Sequence, residues 1–329
     1  MPLPIERPEW SIVDSSKVQD FMACPRSVFY RHICGWSPEA TNSHLVFGSA
    51  WHEAMEHLLL NGYSNLSVGD AYVLLEKYYR QHFSAETDEI FFPKTPANAL
   101  VALTGYAKKW EKDFELYETL YTEIGGTVSI GPNKELHYRM DSILRRKSDK
   151  KLGSREHKTG SSSYNWLDQW PLSFQVGTYN HVLNCMYDQT SIYGVEMNGV
   201  IFGRSKKGWL QLLENSTLTV QDPREYIRCN ILKNRSQMQA WLVNANWWYD
   251  SYMAEIETLT EIDNDDEDVM YSFPCNTKAC LNYGHLCAYH DFCLAWPNPL
   301  RKVGDVPIGF KQEFWNPLAE APKHVFNLE

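Results

Sequence analysis

Asp141 is followed fifteen residues later by the triplet Glu156-His157-Lys158. Successive strand side chains point to opposite faces, so Asp141 would share a face with His137 and Arg139, and Glu156 with Lys158. If the two segments pair as a hairpin, the carboxylates of Asp141 and Glu156 converge. Two carboxylates at one point repel unless a cation lies between them, and a hard divalent ion such as Mg²⁺ takes oxygen ligands while keeping several waters. Such an ion lowers the pKa of bound water and stabilises charge building on a phosphate. Lys158 beside it could orient the attacking water or stabilise the developing oxyanion. That is the chemistry of phosphodiester hydrolysis. An Asp and a Glu-x-Lys also occur on ordinary solvated strands, so the surrounding elements have to decide.

Those elements follow from periodicity. Helical spacing begins after Asp14-Ser15-Ser16, a suitable N-cap, and runs through Val18, Phe21 and Met22 to Pro25. Further helices are expected over Gly48 to Leu60, 67–83 and 97–120, where apolar residues recur at three- and four-residue spacing. Thr127–Ile130, Glu135–Leu144 and Ser154–Thr159 read as strands, the last two separated by a turn-rich stretch at 148–153. A helix at about 172–187, strands near 191–203 and 209–213, and a long helix from about Pro223 to 260 complete the pattern. The fold class expected is α/β, a mixed sheet flanked by helices. It divides into a helical region (1–120), a core with the long helix (121–260) and a C-terminal cysteine segment (261–329), forming one integrated domain. The acidic run Asp263–Asp268 reads as a solvated linker.

The 329 residues are 43% hydrophobic and 22% charged, an ordinary globular balance. No apolar run approaches the ~20 residues needed to cross a bilayer, and the first residues do not read as a secretory signal, so a cytoplasmic protein without membrane contact is expected. A net charge of −10 argues against duplex binding by bulk charge. Arg139, Arg145, Arg146, Lys147, Lys150, Lys151, Arg155 and Lys158 form a local basic stretch, read either as part of a groove or as a solvated hairpin tip. Of eight cysteines, Cys24 and Cys34 lie early, Cys185 and Cys229 are isolated, and Cys275, Cys280, Cys287 and Cys293 crowd together. A metal or cluster site is a better reading of that crowding than disulfides. Cys34, Cys185 and Cys229 read as ordinary buried thiols.

The run Tyr138-Arg139-Met140-Asp141-Ser142-Ile143, then Glu156-His157-Lys158-Thr159-Gly160, then Gln175-x-x-x-Tyr179, resembles the RecB-type branch of the PD-(D/E)XK nucleases. The resemblance implies a restriction-endonuclease-like core. It implies that Asp141, Glu156 and the backbone carbonyl of His157 ligate Mg²⁺ or Mn²⁺, and that Asp141, Glu156 and Lys158 are catalytic. Gln175 and Tyr179, one helical turn apart, would contact DNA or support the site. The segment Phe47-Gly48-Ser49-Ala50-Trp51-His52 is similar to a short glycine-to-histidine motif of the family, which makes His52 a further metal ligand. Tyr138 departs from the family, which often has Gly there. Glu123 reads as a surface residue, with a family acidic residue ahead of the Asp motif as the alternative.

Around Cys24, the run Phe21-Met22-Ala23-Cys24-Pro25-Arg26 resembles the iron–sulfur members of the same superfamily, AddB-type and CRISPR-associated RecB-like exonucleases. The resemblance implies a 4Fe–4S cluster held by Cys24, Cys280, Cys287 and Cys293, stapling distant parts of the chain together. The five-residue gap before Cys293 matches the family. The six-residue gap before Cys287 does not, which leaves Cys275 as an alternative to Cys280 and zinc as an alternative to the cluster. The expected function is a metal-dependent DNA exonuclease acting on single-stranded DNA, with Trp166 and Trp170 placed to stack bases. Trp209, Trp241, Trp247 and Trp248 are expected in packing. A phosphate-binding G-x-x-x-x-G-K-S/T run is absent, so a helicase or a recombination or replication partner would have to supply any unwinding. The family context points to a bacteriophage or bacterial recombination or defence setting. A silent iron–sulfur DNA-binding scaffold and a structure-specific endonuclease are the competing readings.

Overall fold

The computed structural model describes residues 6–215, 217–261, 268–282, 285–317 and 322–329. The main elements are helices α1 (Ser15–Ala23), α2 (Ser43–Asn61), α3 (Asn65–Arg80) and α4 (Pro96–Lys109), then strands β1 (Tyr117–Gly131), β2 (Lys134–Arg146) and β3 (Leu152–Gly160). Helix α5 (Phe174–Met186), strand β4 (Ile192–Phe202), helix α6 (Lys206–Asn215), strand β5 (Arg224–Ile231), helix α7 (Arg235–Glu261) and strand β6 (His324–Leu328) follow. The strands form one mixed sheet in the order β6-β1-β2-β3-β4-β5. β6 lies parallel to β1 and β4 parallel to β3, while the other pairs are antiparallel. Every residue of β4 is buried, as expected of a strand covered on both faces. The α/β class with helices flanking a mixed sheet is as the sequence implies.

Each face of the sheet carries its own apolar core. Val18 and Phe21 of α1, Val176 and Leu183 of α5, and Trp241 and Tyr252 of α7 pack on one face. Phe47 and Trp51 of α2, Leu75 of α3, Leu103 of α4 and Trp209 of α6 pack on the other, against Val200 and Phe202 of β4. Asp14 is the N-cap of α1, its carboxylate accepting from the Lys17 amide at 2.8 Å, as its sequence context predicts.

Three expected elements are corrected. The helix expected over 97–120 ends at Lys109, and Tyr117 opens β1, where Thr119, Tyr121 and Thr122 favour an extended chain. The strand expected at 209–213 is helix α6: Trp209 and Leu212 are buried three residues apart, and Ser205 accepts the Gly208 amide. Pro223 does not begin a helix. It precedes β5, accepting the Gly203 amide at 2.7 Å, and the long helix begins at Arg235. Of the acidic run, residues 263–267 lie outside the described residues.

The early and late parts of the chain are tied together. Arg26 donates through Nε to the Phe273 carbonyl at 2.8 Å, Asn276 donates to the Ala23 carbonyl at 2.7 Å, and the Tyr289 hydroxyl donates to the Trp36 carbonyl at 2.6 Å. Trp36–Pro38 pairs antiparallel with Phe310–Gln312.

Candidate active site

β2 and β3 pair only from Ile143 to Arg145 against Leu152 to Ser154. Beyond that register the hairpin opens, and side chains span the gap. Asp141 Oδ2 accepts the His157 amide at 2.7 Å, Glu156 Oε1 accepts the Asp141 amide at 3.3 Å, and Ser142 Oγ donates to the Arg155 carbonyl at 3.1 Å. The two carboxylates therefore meet in a cleft between diverging strands and replace the missing backbone ladder.

His52 Nδ1, projecting from α2, lies 3.1 Å from Asp141 Oδ1. Among the described residues, one trio of metal-ligating types has ligand atoms all within 4.8 Å of one another: His52, Glu123 and Asp141. Glu123 is thus no ordinary surface residue, contrary to its reading from the sequence. β1 pairs with β2 so that Thr122 faces Ser142 and Ile124 faces Met140, which sets Glu123 opposite Asp141. Its φ of +50° is left-handed, uncommon for a side-chain-bearing residue inside a strand. Such an outlier is often kept where it aims a functional side chain. Arg139 holds the Glu123 carboxylate through Nε and Nη2 at 2.9 and 2.7 Å. The register includes a one-residue irregularity between Ser129 and Gly131, so counting back from the turn at Asn133 does not by itself find Glu123.

The electrostatics are those of anions gathered with too few cations. Glu156 is 1% exposed, and burial together with the charge of Asp141 pushes its carboxyl well above the usual range. Burial and Asp141 also raise Glu123, against the pull of Arg139. Burial works to raise Asp141 too, but His52 and Lys158 beside it outweigh that and hold it below the usual range. In return Asp141 raises His52 against the effect of burial. A divalent cation satisfies such a donor set of one imidazole and several carboxylates. Ser154 Oγ donates to Glu156 Oε1 at 2.6 Å and so fixes its carboxylate. Lys158 is half-buried at the same cleft.

Behind β3 the opposite side chains are packed as rigid support. The His157 imidazole is driven well below its usual pKa by burial, and its Nδ1 meets the amide nitrogen of Asn198 at 2.9 Å. Arg155 is buried, bonding Asp113 at 2.7 Å and Glu196 at 2.5 Å, and Arg228 also meets Asp113 at 2.7 Å. Gln175 donates to the Tyr179 hydroxyl at 2.8 Å, and that hydroxyl donates to the carbonyl of Arg139, two residues before Asp141. Tyr179 is buried, with its hydroxyl engaged inside the protein, and so braces β2.

Other expected placements are corrected. Trp166 is 5% exposed, its ring filling the space that a side chain on Gly199 would occupy, and Trp170 packs edge-on against it. The Trp166 ring does not stand open to bases, and that of Trp170 is partly exposed. Tyr164, on the same segment, is 84% exposed. Trp247 and Cys185, expected inside, are exposed. The basic stretch is largely neutralised, since Arg139, Arg145, Arg146 and Arg155 pair with Glu123, Glu118, Asp149 and Asp113.

Five thiols gather where the early and late segments meet. Cys24 Sγ accepts the Asn276 amide at 3.4 Å, and the Cys287 amide donates to the Cys280 carbonyl at 2.9 Å. Burial, then the neighbouring Cys293, Cys24 and Cys280, push the Cys275 thiol up to about 12. Burial raises Cys287 as well, with Cys24 and Cys280 acting in the same direction. The donor chemistry fits a thiolate-bound group, and Cys275 lies among these thiols as Cys280 does.

No curated protein matches the sequence. The family model of the PD-(D/E)XK nuclease superfamily matches residues 15–293, from the first turn of α1 to the last crowded cysteine, and the chain belongs to that superfamily.

Proposed function

We propose that the protein is a metal-dependent DNA nuclease, and more narrowly an exonuclease acting on single-stranded DNA in the manner of the RecB-like iron–sulfur branch. The observation that carries the reading is the convergence of His52, Glu123 and Asp141 within 4.8 Å, with Glu156 and Lys158 at the same cleft. Mg²⁺ or Mn²⁺ there would supply a water of lowered pKa and charge neutralisation at the phosphate. His52, Asp141, Glu123 and Glu156, with the His157 carbonyl, would hold the ion. Lys158 would orient the attacking water or stabilise the developing charge. Gln175 and Tyr179 would keep β2 in place.

Cys24, Cys287, Cys293 and either Cys280 or Cys275 would hold a 4Fe–4S cluster. The support is their shared neighbourhood where the early and late segments meet. Tetrahedral zinc on the same thiolates is the alternative. The single-strand preference draws on the exposed ring of Tyr164, which is available for stacking. Work beside a helicase or recombination partner in a bacterial or phage-infected cytoplasm fits this reading. No helix among the described residues is long and apolar enough to cross a membrane.

The test is anaerobically purified protein with end-labelled single-stranded and duplex DNA in Mg²⁺ or Mn²⁺, beside Lys158→Ala and a chelator control. Metal-dependent cleavage that Lys158→Ala abolishes is the expected outcome, and the product ladder gives polarity and separates exonuclease from endonuclease. Folded, cluster-bearing protein that binds DNA without cleaving it would establish the silent scaffold instead.

A further inference from the structure

Among the described residues, two cations and a histidine meet at the far end of β3 with no carboxylate beside them. Lys94, in the segment before α4, is 6% exposed, and among the described residues its Nζ bonds only Thr159, to Oγ1 at 3.0 Å and to the carbonyl at 3.2 Å. Thr159 immediately follows Lys158. His44 stands in the first turn of α2 and Arg204 just beyond β4, both exposed. Lys94 Nζ lies 5.9 Å over the ring of Phe47, three residues after His44, and Phe47 packs edge-on at 5.1 Å against Phe202, two residues before Arg204. Both cations depress the His44 imidazole, an effect second to its burial. Burial alone depresses Lys94, to about 8. Among the described residues no carboxylate acts on either group. A third cation, Lys206, lies 5.5 Å over the ring of Phe92, two residues before Lys94.

Elsewhere on this acidic protein the fold pairs its arginines, as Asp88 does Arg80 and Asp222 does Arg224. Here Lys94 and Arg204 bring like charges together beside an imidazole, one of them buried on neutral acceptors, at a cost in desolvation and repulsion. A bound anion offsets both. Resting on the nuclease reading, we propose that Lys94, His44 and Arg204 form a phosphate subsite for the substrate strand. Lys94 is the floor and the two exposed groups are the rim, holding a backbone phosphate near the scissile one. The subsite reads no base: a point-charge lysine, an imidazole and a guanidinium recognise phosphate oxygens whatever the sequence.

The experiment measures binding of a labelled oligonucleotide to Asp141→Asn protein, in which cleavage is blocked, across a range of salt concentrations. His44→Gln and Arg204→Gln, both at exposed positions, and Lys94→Gln are each added to that background. Each is expected to weaken binding by about 5- to 10-fold, equally for unrelated sequences, and to lower the salt slope by about 0.7 per lost contact on single strands. The exposed Lys302→Gln controls for net charge. Affinity and slope unchanged in His44→Gln and Arg204→Gln would overturn the subsite even if Lys94→Gln fails to fold. A second readout does not depend on nuclease activity: inorganic pyrophosphate should shift the His44 imidazole resonance in wild-type protein and not in Arg204→Gln. A pyrophosphate response without DNA cleavage by wild-type protein would keep the anion site and remove the nuclease reading. Cleavage with no response to either probe would do the reverse.

Discussion

Replacing Arg155 with Met takes one of two cations out of a buried group of four charges. Arg155 and Arg228 face Asp113 and Glu196, with contacts of 2.7 and 2.5 Å from Arg155 and 2.7 and 3.3 Å from Arg228. The guanidinium groups lie over aromatic rings, Arg155 4.8 Å from the Tyr117 centroid and Arg228 3.7 Å from that of Trp110. At an effective dielectric constant of about 20, each close pair is worth about 4 kcal/mol before desolvation. Without Arg155, two buried carboxylates share one cation. The repulsion between the arginines is relieved, and two attractions are lost. Breaking a buried pair in this way costs about 3–5 kcal/mol, and that is the expected loss in Arg155→Met. Adding Glu196→Gln restores one cation to one anion, so the double variant should recover at least about 1.5 kcal/mol relative to the sum of the single losses. Urea unfolding of the four proteins, read from midpoints at unchanged slope, measures both quantities. A single-variant loss below about 1 kcal/mol, or strict additivity, would refute the view of this group as one neutral unit. Because Arg155 precedes Glu156 on β3, cleavage should also fall in Arg155→Met although the side chain lies on the opposite face of the strand.

Tyr179→Phe removes the hydroxyl's bond to the Arg139 carbonyl and should cost about 0.5–1.5 kcal/mol, with slower cleavage and little change in DNA affinity; a large affinity loss would assign Tyr179 to DNA contact. Gly199→Ala puts a methyl group 2.1 Å from the Trp166 ring and should destabilise by about 1–3 kcal/mol, a loss that Trp166→Leu in the same chain should largely reverse in thermal unfolding. Lys17 is buried, and burial lowers its pKa from 10.5 to about 8. Between those values the unfolded chain holds a proton that the folded chain has lost, so stability rises with pH across that window. The stability of wild type minus that of Lys17→Met should therefore climb by about 2–3 kcal/mol from pH 7 to 10, and a flat difference would contradict the burial. Glu123→Gln should raise the metal concentration needed for half-maximal cleavage, and an unchanged requirement would remove Glu123 from the ligand set.

The parts of this site that rest on strand alternation are legible in the amino-acid sequence alone. Asp141, Glu156 and Lys158 share the cleft because period-two alternation within a strand is a local property. His52 is found only by resemblance, since its approach to Asp141 depends on how α2 lies against the sheet. Glu123 escapes because its importance lies in a cross-strand register and a left-handed backbone, neither of which residue types announce. Trp166 is misplaced for a related reason. Its neighbours along the chain are mostly polar, while the glycine that makes room for it lies in β4. Around Pro223, a residue suited to a helix's first turn is instead the last one before an alternating strand, Arg224 to Ile231, whose polar and apolar residues fit the edge of the sheet. The chain-wide order of motifs is readable, and the packing between distant segments is not.

The strand formed by residues 324–328 lies beside β1, with the Lys323 amide donating to the Glu123 carbonyl at 3.0 Å and Thr127 bonding Asn327, 200 positions further along. Ribosomes add about 5–20 residues per second, so roughly 10–40 s separate the emergence of β1 from that of its outer neighbour. Throughout that interval β1 is an open edge, and the left-handed turn of the chain at Glu123 lacks its outer support. The nascent protein would thus acquire the carboxylate pair of β2 and β3 well before the third carboxylate is locked in position. Competence to cut would arrive only once residues 324–328 have emerged, after the rest of the sheet has formed.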